Sequence, residues 1–184
     1  MREVRVIRDA AGLAALAPEW DELLARSASD TVFLTWAWLA SWWDTYGDGL
    51  EPRVATVRED GRLVAAAPCK IEERRRYGLS FRQLEFIGTG RAVCPDFLDL
   101  VIERGREDEL VPPLVAALAA ERGWDKLAFT DIPADSPVRR GNAPQVREQA
   151  RELQGSKRRL GSAWAAATRG KKRWARAPAL HDLL

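Results

Sequence analysis

The residues best suited to acid–base chemistry are two aspartates, Asp96 and Asp99, in the segment 96–102. If this segment is a strand, residues three apart point to opposite faces, so only one of the two carboxylates can serve a given site. Asp96 lies beside the Gly-Thr-Gly loop at residues 88–90. It is the better candidate for a base that deprotonates an amine or for a group that binds a cationic acceptor. The alternative role is structural: a strand-end aspartate that accepts hydrogen bonds from the N–H groups of the loop.

Four tryptophans within residues 35–46 form the second group of interest. At helical spacing Trp36 and Trp43 share one face, whereas Trp38 and Trp42, four residues apart, share another. Indole rings can line a groove that binds a substrate. They also fill hydrophobic cores, because aromatic side chains bury the largest apolar area. Trp38 and Trp42 lie off the main face and are expected either to be partly exposed or to contact a second folded unit. The candidate substrate-binding residues are Trp38 and Trp42, together with Gly88 and Gly90 of the Gly-Thr-Gly loop.

Cysteine and histidine usage disfavours several other kinds of chemistry. Cys69 and Cys94 are too few for a disulfide framework, and neither has a neighbouring histidine, so nucleophilic catalysis is not expected. The single histidine, His181, cannot supply a zinc cluster, so we predict no metal site.

The chain that must position these residues has 184 residues, of which 46% are hydrophobic. This is enough for one globular domain with its own core. The longest apolar runs, residues 64–69 and 111–120, are much shorter than the roughly 20 residues that span a bilayer. The N-terminus has no apolar signal segment. We therefore expect a cytoplasmic protein with no membrane partner.

Charge divides the chain into two parts. Residues 1–138 contain 17 Lys and Arg against 24 Asp and Glu, a net charge of −7, whereas residues 139–184 contain 12 against 3, a net charge of +9. The periodicity of apolar residues is also lost after Pro137. We therefore predict a folded unit at residues 1–137 and a weakly structured basic tail at 138–184. The tail has no recognisable nucleic-acid-binding fold, which disfavours a nucleic-acid partner.

The hydrophobic pattern of the folded unit predicts a strand, two helical stretches, a three-stranded meander and a strand–helix–strand unit. Asp60-Gly61 is a hairpin turn between the first two strands of the meander, and Pro68 predicts a bulge or an edge position in the second. The last unit requires a crossover, with its two strands parallel or nearly so. The predicted strands are 2–8, 53–57, 63–71, 81–87, 96–102 and 126–131. The predicted helical stretches are 10–25, which Pro18 divides into a short helix and a second helix, 35–46 and 112–122. The fold class is thus mixed α/β, with helices covering a sheet.

Three segments of this pattern carry a family resemblance: VFLTWAWLASWW, EFIGTG followed by PDFLDLVI, and WDKLAFTDIPADSP. In this order and at similar distances they resemble CelD-like acyltransferases, the cellulose-biosynthesis type of the Gcn5-related N-acetyltransferase (GNAT) superfamily. The resemblance covers roughly residues 4–137. Because that family has two GNAT-like units in tandem, the chain resembles the N-terminal unit alone. We expect a GNAT-like sheet that is incomplete at its C-terminus, as in a truncated or frameshifted product.

The resemblance implies transfer of an acyl group from acetyl-CoA or another acyl-CoA to an amine or hydroxyl. The implied acceptor is a small molecule or glycan-related compound, and the implied partner is a second GNAT-like unit or a second copy of the chain. The family architecture also implies that this chain is inactive alone. The alternative is a non-catalytic GNAT-like module that packs on a second unit.

In GNAT proteins a glycine-rich loop at a helix start binds the CoA diphosphate through backbone N–H groups. The equivalent loop here reads ERGREDE, residues 103–109, and Gly105 is its candidate cofactor-binding residue. The second glycine of the pattern is missing, and three consecutive carboxylates precede the predicted helix, where they would repel a diphosphate. A structural cap is therefore favoured over a CoA site, and we predict weak binding of acyl-CoA.

Overall fold

The computed structural model describes residues 1–76, 79–90, 93, 95–130, 132–134, 136 and 138. Within this part of the chain, there are six strands and four α-helices, with one turn of 3-10 helix at Val32–Leu34. The strands are β1 (Arg2–Ile7), β2 (Glu51–Glu59), β3 (Arg62–Arg76), β4 (Leu79–Phe86), β5 (Val101–Ile102) and β6 (Lys126–Ala128). The helices are α1 (Ala10–Ala14), α2 (Ala17–Ala25), α3 (Trp36–Tyr46) and α4 (Glu107–Ala120).

The described strands form one mixed sheet in the order β1-β2-β3-β4-β6, with β5 also paired to β3. Neighbouring strands are antiparallel except β4 and β6, which are parallel. Asp60 and Gly61 both have positive φ and form the predicted hairpin turn between β2 and β3. The mixed α/β class predicted from the sequence is confirmed.

Two separate strands, β4 and β5, pair with different parts of β3 along the same side. β4 pairs with β3 from Cys69 onward, whereas β5 pairs with Ala65 and Ala66 on the same strand. Since both run antiparallel to β3, β5 continues the line of β4 further along β3. β6 pairs only with β4, so among the described strands the sheet divides beyond Phe86.

Pro68 lies at this division, neither at an edge nor in a bulge. It pairs with Val54 of β2, and its carbonyl oxygen accepts a hydrogen bond from the N–H of Ile87 at 2.8 Å. The missing N–H of a proline points to the same side of the strand as its carbonyl, here towards the gap between β4 and β5. An interior proline is tolerated because no ladder bond is required there. The register shift in this hairpin falls instead between Val57 and Arg58.

Helices cover both faces of the sheet. Along β2, Arg58 pairs with Glu19 of α2, whereas Arg53 and Glu59 pair with Glu121 and Arg106 at the two ends of α4. Because alternate residues of a strand point to opposite faces, α2 and α4 lie on opposite sides. The central strand β3 is accordingly buried from Leu63 to Glu72.

Two predicted boundaries are wrong. The strand predicted at 96–102 is reduced to β5, because Phe97 has a φ of 60° and the Asp99 carboxylate accepts a hydrogen bond from the Leu100 N–H, neither of which suits a regular strand. The last helix begins at Glu107 instead of Pro112, since acidic residues in its first turn favour a helix N-terminus. The predicted boundary after Pro137 and all but Val138 of the predicted tail lie outside the described residues.

Candidate functional site

The four candidate substrate-binding residues lie close together. Gly88 has a φ of 105°, and a Cβ at this position would lie 2.6 Å from the Trp38 ring. Gly90 also has a positive φ, and the Arg74 guanidinium occupies the space that its Cβ would take. Trp42 follows Trp38 by one helical turn on α3. We call Trp38, Trp42, Gly88, Thr89 and Gly90 the tryptophan–glycine site.

A buried group of charges lies beneath this site, on one face of β3 and β4. The Lys70 ammonium donates to Glu85 at 2.6 Å and to Glu72 at 2.8 Å, and Arg74 donates to Glu85 at 2.7 Å. Lys70 and Glu85 are directly opposite in the strand register, and neither is exposed. We call Lys70, Glu72, Arg74 and Glu85 the charge cluster. It balances two cations with two carboxylates, as buried charges require.

The charge cluster is suited to hold the loop in place and unsuited to take up a proton. Burial raises the pKa of Glu85, but hydrogen bonds from Lys70, Gln83 and Arg74 stabilise the carboxylate and leave its pKa below the usual value. A fully buried, ionised carboxylate cannot reach a substrate as a base. Instead, Glu85 accepts a hydrogen bond from Arg74 and so holds the Arg74 guanidinium beside Gly90.

Trp42 and Thr89 provide the polar groups of the tryptophan–glycine site. The Lys70 ammonium lies 5.4 Å from the centroid of the Trp42 ring, close enough for a cation–π interaction. Trp42 is only 3% exposed and Trp38 is half-buried, so the partial exposure expected of both is found at Trp38 alone. The other expectation, contact with a second unit, stays a prediction. The Trp42 Nε1 and the Thr89 hydroxyl are buried without a hydrogen-bond partner among the described residues. Buried polar groups are rarely left unpaired, so these two are available to a polar ligand or to water.

A cavity of about 180 Å³ lies at the start of α4. Its lining includes Ser29, Phe97, Asp99, Glu107 and Ser136. Asp99 is 1% exposed and accepts a hydrogen bond from the Ser136 hydroxyl at 2.9 Å. Asp96, the preferred catalytic candidate from the sequence, is exposed and is not among the lining residues. Of the two aspartates, the structure thus places Asp99 at the cavity.

The residues at the start of α4 do not fit the diphosphate of an acyl-CoA. Gly105 has a φ of 84° and makes the turn into α4, but its N–H donates to the Glu107 carboxylate at 3.1 Å. The cap residue Arg106 offers no side-chain acceptor, and Glu107, Asp108 and Glu109 fill the first turn. An added dianion would meet carboxylates where it requires free N–H groups.

The remaining candidates are placed as follows. Cys69 is fully buried, and burial raises the pKa of its thiol, so it is not a nucleophile. Cys94 and His181 lie outside the described residues. Across the described ranges, no group of three or more His, Cys, Asp or Glu side chains is arranged to hold a metal ion, and no helix there is both long and apolar enough to cross a membrane.

Sequence reasoning did not identify the charge cluster. Its signal in the sequence is a lysine inside an otherwise apolar strand, AAAPCKI, and a glutamate between Leu84 and Phe86. Either charge alone resembles an ordinary strand residue. The pairing emerges only when the register of β3 and β4 sets Lys70 opposite Glu85.

No family model matches the sequence, and no curated relative matches it. Solved structures similar to this chain include a ribosomal-protein-alanine N-acetyltransferase from Brucella melitensis (17% identity, 83% of this chain and 90% of that chain, TM-score 0.38). Another is a glucosamine-6-phosphate N-acetyltransferase from Arabidopsis thaliana (12% identity, 99% of both chains, TM-score 0.38). A Trypanosoma brucei acetyltransferase matches at 15% identity over 70% of this chain and 82% of that chain, with a TM-score of 0.37. Because these identities and TM-scores are low, no proposal below rests on these solved structures.

Proposed function

We propose that this chain is a GNAT-like acyltransferase domain that binds the acceptor and does not by itself hold the acyl donor. The observation that carries the proposal is the convergence of Trp38, Trp42, Gly88 and Gly90 over the charge cluster. The ring of the half-buried Trp38 suits contact with an amine- or hydroxyl-bearing acceptor such as an amino sugar. The unpaired Trp42 N–H and Thr89 hydroxyl are buried, so such an acceptor would reach them through a bound water. The resemblance to CelD-like proteins supports acyl transfer as the reaction of the complete enzyme.

Glucosamine is a suitable acceptor probe, and the indole N–H resonances of the tryptophans provide the readout. We expect glucosamine to shift the resonances of Trp38 and Trp42. Trp20 is the internal control, because it is fully buried and its Nε1 donates to the Leu34 carbonyl oxygen at 2.7 Å. Equal shifts at all three tryptophans, or none at Trp38 and Trp42, would count against an acceptor site here.

The donor half of the proposal is tested with acetyl-CoA. Calorimetry of the isolated chain should give no affinity tighter than roughly millimolar, and release of the CoA thiol with glucosamine should not exceed that in buffer, because the first turn of α4 opposes the diphosphate. A low-micromolar affinity for acetyl-CoA that is lost in Gly105→Trp would contradict this and make the chain a complete enzyme.

The second candidate function is the non-catalytic module, and exposed apolar side chains favour it. Val32 is 64% exposed, and Phe97, which lines the α4 cavity, is 57% exposed. Such side chains suit contact with a second GNAT-like unit or a second copy of the chain. Sedimentation of the wild type and of Val32→Ser/Phe97→Ser distinguishes the two functions: a dimer that the substitutions dissociate, together with no response to glucosamine, would favour the module.

A further inference from the structure

Two arginines flank the start of α4 and share one carboxylate between them. Arg2 of β1 donates to Glu59 through Nε at 2.9 Å and Nη2 at 2.7 Å. Arg106, the cap of α4, donates to the same carboxylate through Nη1 at 2.9 Å and Nη2 at 2.8 Å. Arg106 therefore holds both oxygens of Glu59 in fork geometry, the arrangement that proteins use for carboxylates and phosphates, whereas both bonds from Arg2 go to Oε1.

Glu109 completes the arrangement from the first turn of the helix. It accepts hydrogen bonds from Arg106 at 3.1 Å and also from Arg2, so each arginine contacts both carboxylates. The side chains are about one-quarter to one-half exposed, with values of 39% for Arg2, 28% for Glu59, 26% for Arg106 and 46% for Glu109. The group is therefore within reach of solvent and of an added anion.

We infer that Arg2 and Arg106 form an anion-binding fork whose anion is supplied by the chain itself, with Glu59 and Glu109 bound where an external diphosphate would bind. This internal anion would explain why the start of α4 does not accept the diphosphate of CoA. The two guanidiniums that could neutralise such a group are already neutralised, and the N–H of Gly105 is bonded to Glu107. Removing the internal anion should therefore open the fork. Since anion binding is measured without acyl transfer, this inference stands or fails separately from the proposed function.

The pKa of Glu59 is consistent with this role. Hydrogen bonds from Arg106 and then Arg2 lower it to about 2. Across the range in which proteins are handled, the internal anion is thus fully charged and holds both arginines. An external anion must displace it to bind.

Inorganic diphosphate is the probe, titrated by calorimetry at low salt into the wild type and into Glu59→Gln/Glu109→Gln. The wild type should show no binding in the low-millimolar range. The double variant should bind about 10- to 100-fold more tightly than the wild-type limit, because Arg2 is freed and Arg106 keeps only Glu103 as a partner at 3.2 Å, so both guanidiniums can make charge-assisted bonds to the added anion. Adding Arg106→Met to the double variant should remove the gain.

The matched control is Asp108→Asn, which removes a charge from the same helix turn without freeing either arginine or the Gly105 N–H, which stays bonded to Glu107. Its affinity for diphosphate should rise by less than about 3-fold, as expected for a change in general charge alone. An equal gain in this control, no gain in Glu59→Gln/Glu109→Gln, or micromolar binding by the wild type would each overturn the inference. If the double variant lacks a cooperative melt, Glu59→Gln alone takes its place, with a smaller gain expected.

Discussion

At the scale of single residues, Gly88 shows how one missing side chain lets two elements meet. Its positive φ disfavours any L-residue, and the Trp38 ring occupies the space of its Cβ. Gly105 has a similar φ of 84° but open space around its Cβ position. A side chain at position 105 would therefore meet backbone strain alone, whereas a side chain at position 88 would meet both backbone strain and a clash with Trp38.

Gly88→Ala is expected to destabilise the protein more than Gly105→Ala does. Both substitutions cost roughly 1–2 kcal/mol of strain at positive φ, and at position 88 overpacking against Trp38 adds roughly 1–3 kcal/mol. Urea denaturation of the two variants measures the difference in free energy of unfolding. Equal losses would mean that Trp38 moves aside at no cost and does not define the site.

At the scale of elements, the charge cluster joins β3 to β4 beneath α3. Lys70 and Glu85 are fully buried and paired across the two strands. Burying both charges is costly, so the pair contributes little net stability compared with apolar residues, although each member strongly requires the other. The unbranched, apolar side chain of methionine can replace the lysine stem without adding charge.

Lys70→Met should destabilise the fold by roughly 3–5 kcal/mol, because it leaves two buried carboxylates with Arg74 as their remaining cation in the cluster. The double variant Lys70→Met/Glu85→Gln should recover a large part of this loss, since the charge balance of the cluster is restored. Urea denaturation of the single and double variants gives the coupling energy. Additive losses would show that the two side chains act independently.

At the scale of the whole molecule, ion pairs connect segments that are distant in the chain. Glu59 of β2 holds Arg2 of β1 and Arg106 of α4, and Glu103 pairs with Arg26, Arg62 and Arg106. These contacts bring the N-terminus, the β2–β3 hairpin and the start of α4 together at one end of the sheet. The contribution of these ion pairs to the stability of the fold therefore depends on the ionisation of a few carboxylates.

The folded-state pKa of Glu59 is about 2, below its ordinary value of 4.5. Between these two values the unfolded chain binds a proton that the folded chain does not, so acid reduces stability in this window. The stability that Glu59 contributes should be complete above about pH 5 and should decline as the pH falls towards about 2. Urea midpoints of the wild type and Glu59→Gln should therefore converge over that range. Glu73→Gln, an exposed strand carboxylate, serves as the control, and a pH-independent gap between wild type and Glu59→Gln would contradict the prediction.

The sequence by itself determined the local elements, because each depends on neighbouring residues. Alternation predicted β1 to β4, Asp60-Gly61 predicted the hairpin, and helical spacing predicted α3 with its four tryptophans. It also identified the glycines and tryptophans that meet in the tryptophan–glycine site. The acidic first turn of α4 indicated correctly that the carboxylates belong to a helix N-terminus, although the prolines led to a start five residues too late.

Only the tertiary structure decided which charges pair and where the sheet divides. Lys70 and Glu85 are 15 residues apart, and Arg2 and Glu59 are 57 apart, so their contacts depend on strand register and not on local pattern. The same is true of Pro68, whose place in an interior strand is permitted by a gap between β4 and β5 that lies outside its own segment. The Trp42 ring also lies against Lys70 of β3, a contact that the spacing of residues within α3 does not predict. Each of these features depends on free energy gained between distant segments, which periodicity within one segment does not encode.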